Sequence, residues 1–212
     1  MRTLAEDVHQ LAGRPPHTIN VYLVGDVLVD AGTPGARRRI LRELAGREVR
    51  THLVTHAHPD HFGSSHAVCE ALGLPLWTGA GDAEAIETAT PVAAPGRLPA
   101  LLAKMRMPPA HPIERRLHEG DEVAGFVVLD TPGHSPGHIS LWREADRTLI
   151  CADVFFNLPS LRPPPRLLTP DPELNRASMR RLAELRPALV LFGHGPPLRD
   201  PDRLARFVAG LR

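Results

Sequence analysis

Cysteine is almost missing from this chain: Cys69 and Cys151 are the only two, far apart, each inside an apolar segment. That count speaks against a disulfide framework, and two reduced, buried thiols suit a cytoplasmic setting. Long hydrophobic runs are also lacking. No window approaches the ~18 continuous apolar residues of a membrane span. The opening Met1-Arg2-Thr3-Leu4-Ala5-Glu6-Asp7 has acidic residues where a signal peptide needs an apolar stretch. The expectation is a soluble, unprocessed, cytoplasmic protein with no membrane partner. There is no excess of one charge, since 25 Lys+Arg face 24 Asp+Glu for a net charge of +1. That balance, without a basic stripe, argues against a nucleic-acid partner. Lysine occurs once, as Lys104.

What remains is ordinary globular composition, 42% hydrophobic and 23% charged, over 212 residues. One domain covering 1–212 is expected. Against this background the segment Thr55-His56-Ala57-His58-Pro59-Asp60-His61 stands out. His56 and His58 are two apart, so in extended chain they point the same way and can grip one ion. Asp60 and His61 follow a proline that turns the chain, so they can face a second ion. Two metals need more donors, and His134, Asp153 and His194 supply them, each after a strand-like segment.

Strands are expected at 18–24 and 27–30 around a Gly25-Asp26 turn, then at 49–55, 75–78, 114–118, 126–130, 139–143, 148–152 and 188–192. Helices are expected at 36–45, at 63–72 closed by Gly73, from an Asp82 N-cap through about 88, from Asp171-Pro172 to about 185, and from Asp200-Pro201. Two proline-rich stretches, 91–112 and 159–172, interrupt the pattern; the first holds one helical piece, Ala100 to Met107. Two half-chains of strands, each followed by helices, favour an α+β fold: a four-layer αββα sandwich of two mixed β-sheets flanked by helices.

The natural partition puts His56, His58 and His134 at one ion and Asp60, His61 and His194 at the other, with Asp153 bridging. Two Zn²⁺ ions so placed, or alternatively Fe or Mn, would share a water and lower its pKa, giving hydroxide near neutral pH. Asp60 is the candidate catalytic residue, able to orient that nucleophile or carry its proton. Asp153→Ala should remove the bridge and most activity.

The cluster His56-Ala57-His58-Pro59-Asp60-His61, with Thr131-Pro132-Gly133-His134, Ala152-Asp153 and Gly193-His194-Gly195, resembles the metallo-β-lactamase-fold hydrolase superfamily from Asn20 to about Pro197. The resemblance implies the αββα fold, the same metal partition, and a structural role for Asp30 beneath the site. Asp153 resembles the bridging aspartate of glyoxalase II and lactonases; the zinc β-lactamases of the cysteine-ligand kind carry a cysteine there. The sequence ends at Arg212, soon after His194, so the helical glutathione-contacting domain of glyoxalase II is not expected. Lactonases of the superfamily use a tyrosine near the metals, and Tyr22 is the sole tyrosine here.

The best-fitting activity is hydrolysis of a small ester-like molecule: a thioester, lactone or similar. The alternatives are a mononuclear non-haem iron oxygenase like the persulfide dioxygenases of the same superfamily, using His56, His134 and Asp153, and a phosphodiesterase. Arg162 and Arg166 in the second proline-rich stretch are weaker candidates for contact with an anionic substrate. Phe155, Phe156, Leu158, Leu161, Leu167 and Leu168 either wall a pocket or pack under the loop. His138 is read as a support for His134, Cys151 as a buried thiol, and His66 and His118 as solvated or packed; His52 is given no role.

Overall fold

Leucine and β-branched residues in short runs between turn residues make strands here, and the alternation of their side chains builds the layers. The structure, a computed structural model, describes residues 1–13, 15–94, 96 and 107–211. One seven-stranded sheet follows chain order: β1 (Arg2–Ala5), β2 (Val8–Gln10), β3 (Tyr22–Val24), β4 (Val27–Val29), β5 (Thr51–Val54), β6 (Leu76–Gly79) and β7 (Arg115–Leu117). Pairing is antiparallel from β1 to β4 and parallel from β4 to β7. Parallel neighbours need crossovers, and α1 (Arg37–Leu44), α2 (Ser65–Leu72) and α3 (Ala83–Glu87) lie in them. The second sheet is built from β8 (Glu122–Val123), β9 (Phe126–Asp130), β10 (Ile139–Arg143), β11 (Thr148–Ala152) and β14 (Leu189–Phe192), in the order β14-β11-β10-β9-β8. Only β11 and β14 pair in parallel there, joined through α4 (Pro172–Glu184). A small ribbon, β12 (Phe156–Asn157) with β13 (Leu161–Arg162), and α5 (Pro201–Ala209) complete the described strands and α-helices.

Three apolar clusters reveal the four layers. Tyr22, Val24, Val29 and Leu53 of the first sheet meet Phe126, Val128, Leu141, Ile150 and Leu191 of the second in the middle. Leu23, Leu28 and Val54, on the opposite face of the first sheet, pack on Ile40, Leu44, Val68 and Ile86 of the first three helices. Leu149, Cys151, Val190 and Phe192 pack outward on Met179, Leu182, Leu204 and Val208. Truncating any one of these fully buried leucines to alanine costs about 2–5 kcal/mol.

The expected helices form, and Asp171 and Asp200 cap α4 and α5 by accepting from the backbone N–H groups of Leu174 and Arg203. Gly73 ends α2 in the left-handed conformation, φ 65°. One expected boundary needs correction. The strand expected from Thr18 starts at Tyr22, as β3, because the preceding residues turn aside to hold the loop around His194. The N-terminal hairpin β1–β2 and the short β8 were not anticipated. The helical piece at Ala100 to Met107 falls, apart from Met107, outside the described residues.

Candidate metal centre

All seven expected donors follow strand ends and meet in one cleft. β5 delivers His56, His58, Asp60 and His61; the loop after β9 delivers His134; β11 and β14 end next to Asp153 and His194. Aiming Asp153 requires a break in the ladder. The register between β11 and β14 shifts at Ala152, whose φ is 41°, and such irregularities re-aim side chains at sites. The facing Gly193 is obligatory: a Cβ there would overlap Asp153 Oδ1 and lie 2.7 Å from His61 Cε1.

His56 Nε2 lies 3.1 Å from His58 Nδ1, which lies 2.9 Å from His134 Nε2. Beside them, His194 Nε2 is 3.2 Å from Asp60 Oδ2, and His61 Nε2 is 4.0 Å from the same oxygen. Asp153 Oδ2 sits between the groups, 3.8 Å from His56 Nε2, 3.3 Å from His134 Nε2, 3.4 Å from His61 Nε2 and 3.2 Å from His194 Nε2. The sets His56–His58–His134, His56–His61–Asp153 and Asp60–His61–His194 each have ligand atoms close enough for one cation. His61 Nε2 and Asp153 Oδ1 are buried without a hydrogen-bond partner. Buried polar atoms are seldom left so, and a convergent nitrogen and oxygen donor set fits divalent metal ions.

Charge divides the cleft. Burial first, then the neighbouring imidazoles, pushes His56 far below the usual histidine range, and burial with His134 lowers His58 to about 3. Burial also opposes charge on His61 and His194, yet Asp153 wins in both cases. His61, flanked by Asp30 as well, is raised well above the usual range, and His194 is raised to about 10. The carboxyls of Asp60 and Asp153 are pushed up by burial but held below the usual range by His194 and His61.

Comparison with known proteins identifies the family. Residues 14–194 match the family model of the metallo-beta-lactamase superfamily. The chain belongs to that superfamily. A probable metallo-hydrolase of Bacillus subtilis, YflN, is 32% identical over 92% of this chain and 86% of its own length. A hydroxyacylglutathione hydrolase of Rhodospirillum rubrum is 33% identical over 50% of this chain, which corresponds to 34% of that relative. Among solved structures, a di-iron-bound form of TTHA1623 superposes with a TM-score of 0.68 at 32% identity, covering 90% of this chain and 94% of that one. The protein is thus a metallo-β-lactamase-fold hydrolase with His and Asp candidates for metal binding.

The hydrolase orients its imidazoles through their second ring nitrogens, the usual companion of metal-binding histidines. His56 Nδ1 meets Thr55 Oγ1 at 3.1 Å, His61 Nδ1 meets Asp30 Oδ2 at 2.7 Å, His134 Nδ1 meets Thr169 Oγ1 at 3.3 Å, and His194 Nδ1 meets the Thr18 carbonyl. Asp30 also accepts from the Thr55 N–H at 2.8 Å, which gives physical content to the role the resemblance implied.

Asp82 stands at the expected N-cap position of α3 but does different work there. Its side chain makes no capping bond; fully buried, it accepts from the Ala57 N–H at 2.7 Å, the Ser135 hydroxyl at 2.6 Å and the Gly137 N–H at 2.7 Å. One carboxylate therefore fastens the His56–His58 loop to the His134 loop. The approach of the two loops requires Gly79 and Gly81, since a Cβ at either would crowd Gly137. His138 bonds Thr131 within its loop, as expected, but its other nitrogen meets the Asp153 N–H at 3.2 Å rather than supporting His134. His52 has a structural role, joining the Leu28 carbonyl to the Ser65 hydroxyl. Tyr22 is buried and donates to the Phe192 carbonyl at 2.7 Å, so its phenol braces the strand before His194.

Of the apolar residues in and just before the second proline-rich stretch, Phe155 and Leu161 pack in the outer core while Leu158, Leu167 and Leu168 are exposed. Phe156 meets the donors, its ring centroid 4.4 Å from that of His194. Arg162 and Arg166 are exposed and line a cavity of about 340 Å³ with Arg176, Thr169 and the buried Asn175.

Proposed function

We propose that this hydrolase cleaves a small ester-like substrate, a thioester, lactone or similar, using two divalent ions held by His56, His58 and His134 on one side and Asp60, His61 and His194 on the other, with Asp153 shared. Zinc suits the donor set, and the di-iron-bound neighbour supports iron as the alternative. The carrying observation is the placement of Asp153 Oδ2 within 3.2–3.8 Å of four imidazole nitrogens drawn from both groups. Ions held there would acidify a shared water and polarise the substrate carbonyl.

The protein's own residues do the rest. Asp60 has the most open of the cleft carboxylates, its side chain 35% exposed, and so can accept a hydrogen bond from the attacking water and aim it. Phe156 walls the cleft beside His194 and keeps water out on that side. Arg162 and Arg166 receive an anionic end of the substrate; neither pairs with a carboxylate among the described residues. Thr169, which lines their cavity, also touches His134.

The test is metal analysis of protein purified without added metal, followed by a panel of thioesters, lactones, phosphodiesters and β-lactams. Two metal equivalents in the cleft and turnover of a thioester or lactone are expected. One iron with oxygen uptake would replace this reading with the oxygenase, and phosphodiester turnover alone would replace the substrate class.

A further inference from the structure

We propose that His66, Glu70 and His111 form a further divalent-cation site that shares no residue with the cleft and fastens the chain entering β7 to helix α2. His66 and Glu70 are four residues apart on α2, so the helical repeat sets imidazole and carboxylate on one face. His111 arrives from the segment that leads into β7. Each of the three offers one ligand atom, and these atoms lie within 4.8 Å of one another.

The two imidazoles approach through like atoms, Nδ1 to Nδ1 at 3.1 Å, with their rings 71° apart. That is the approach of two donors converging on one point beside a carboxylate. His111 is buried, His66 is half-buried and Glu70 is exposed, so the site opens to solvent on one side, where water can complete a tetrahedron. Two imidazoles with one carboxylate favour zinc or another first-row ion over magnesium or calcium.

The surrounding bonds give the ion a mechanical role. The His111 N–H donates to the Ile86 carbonyl of α3 at 3.4 Å, and α2 is itself joined to β5 through Ser65 and His52. An ion at this point ties α2 to the chain that passes α3 on its way to β7, on the outer face of the first sheet.

The experiment is equilibrium dialysis of the full chain against graded zinc, with metal per chain measured by elemental analysis, for wild type, Glu70→Gln and His111→Asn. Wild type should saturate one zinc equivalent above either variant. The difference does not depend on how many ions the cleft takes, so it stands or falls separately from the proposed reaction. Glu70 is exposed, so its variant tests the site even where His111→Asn fails to fold. Equal saturation of wild type and a folded variant would overturn the proposal and leave a plain histidine–histidine hydrogen bond.

Discussion

The two sides of the cleft use similar residues in opposite states. His56 and His58 are held neutral by burial and by the imidazoles around them, whereas His61 and His194 keep protons because Asp153, Asp30 and Asp60 surround them. The first side presents lone pairs ready for a cation. The second presents ion pairs that a cation must first displace. Identical side chains thus differ in readiness through neighbouring charge alone, and Asp153, which faces both, is where the two sides are coupled.

Removing the coupling is the most drastic way to break this comparison. Asp153→Ala should lower kcat/KM by on the order of a thousandfold, about 4 kcal/mol, with metal loss from both sides. Loss from one side alone would show that Asp153 is not shared. Sharper discrimination comes from the outer partners. Asp30→Asn should weaken metal binding about 10–100-fold on the Asp60–His61–His194 side, and Thr169→Val should do so on the His134 side. Metal titrations that showed the same loss in both variants would erase the distinction.

Protons give the next contrast. Filling the His61 and His194 side must release the protons they hold, so affinity there should rise with pH across neutrality, toward the range near 10 where His194 titrates. The His56 and His58 side should bind without that dependence, because both imidazoles are already neutral there. Calorimetric titration in buffers of different ionisation enthalpy measures the protons released at each step; equal release at both would contradict the charge asymmetry. The smallest effect lies outside the cleft. Arg162→Ala or Arg166→Ala should raise KM for an acidic substrate about fivefold, roughly 1 kcal/mol, with kcat unchanged.

Much of this was legible in the sequence because each donor follows a strand with a clear apolar pattern. The pair spacing of His56 and His58 and the turn at Pro59 carry the division into two sides on their own. What stayed hidden depends on contacts distant in the chain. The residue pattern Gly79-Ala80-Gly81-Asp82 suits a helix start, and only the approach of Gly137 turns Asp82 into an anchor between two loops. His138 sits four residues from His134, yet its ring serves Asp153. The N-terminal hairpin was missed because Glu6-Asp7, read only as unsuited to a leader, is the turn between β1 and β2. His66 and His111 lie on segments brought together by the return of the chain after β6, which no local spacing records.

The most direct measurement is a crystal structure of the metal-loaded hydrolase with anomalous scattering used to place the ions. Two peaks are expected in the cleft, one bound by His56, His58 and His134, the other by Asp60, His61 and His194, with Asp153 touching both. A single cleft peak, or an Asp153 carboxylate turned away from either ion, would contradict that arrangement.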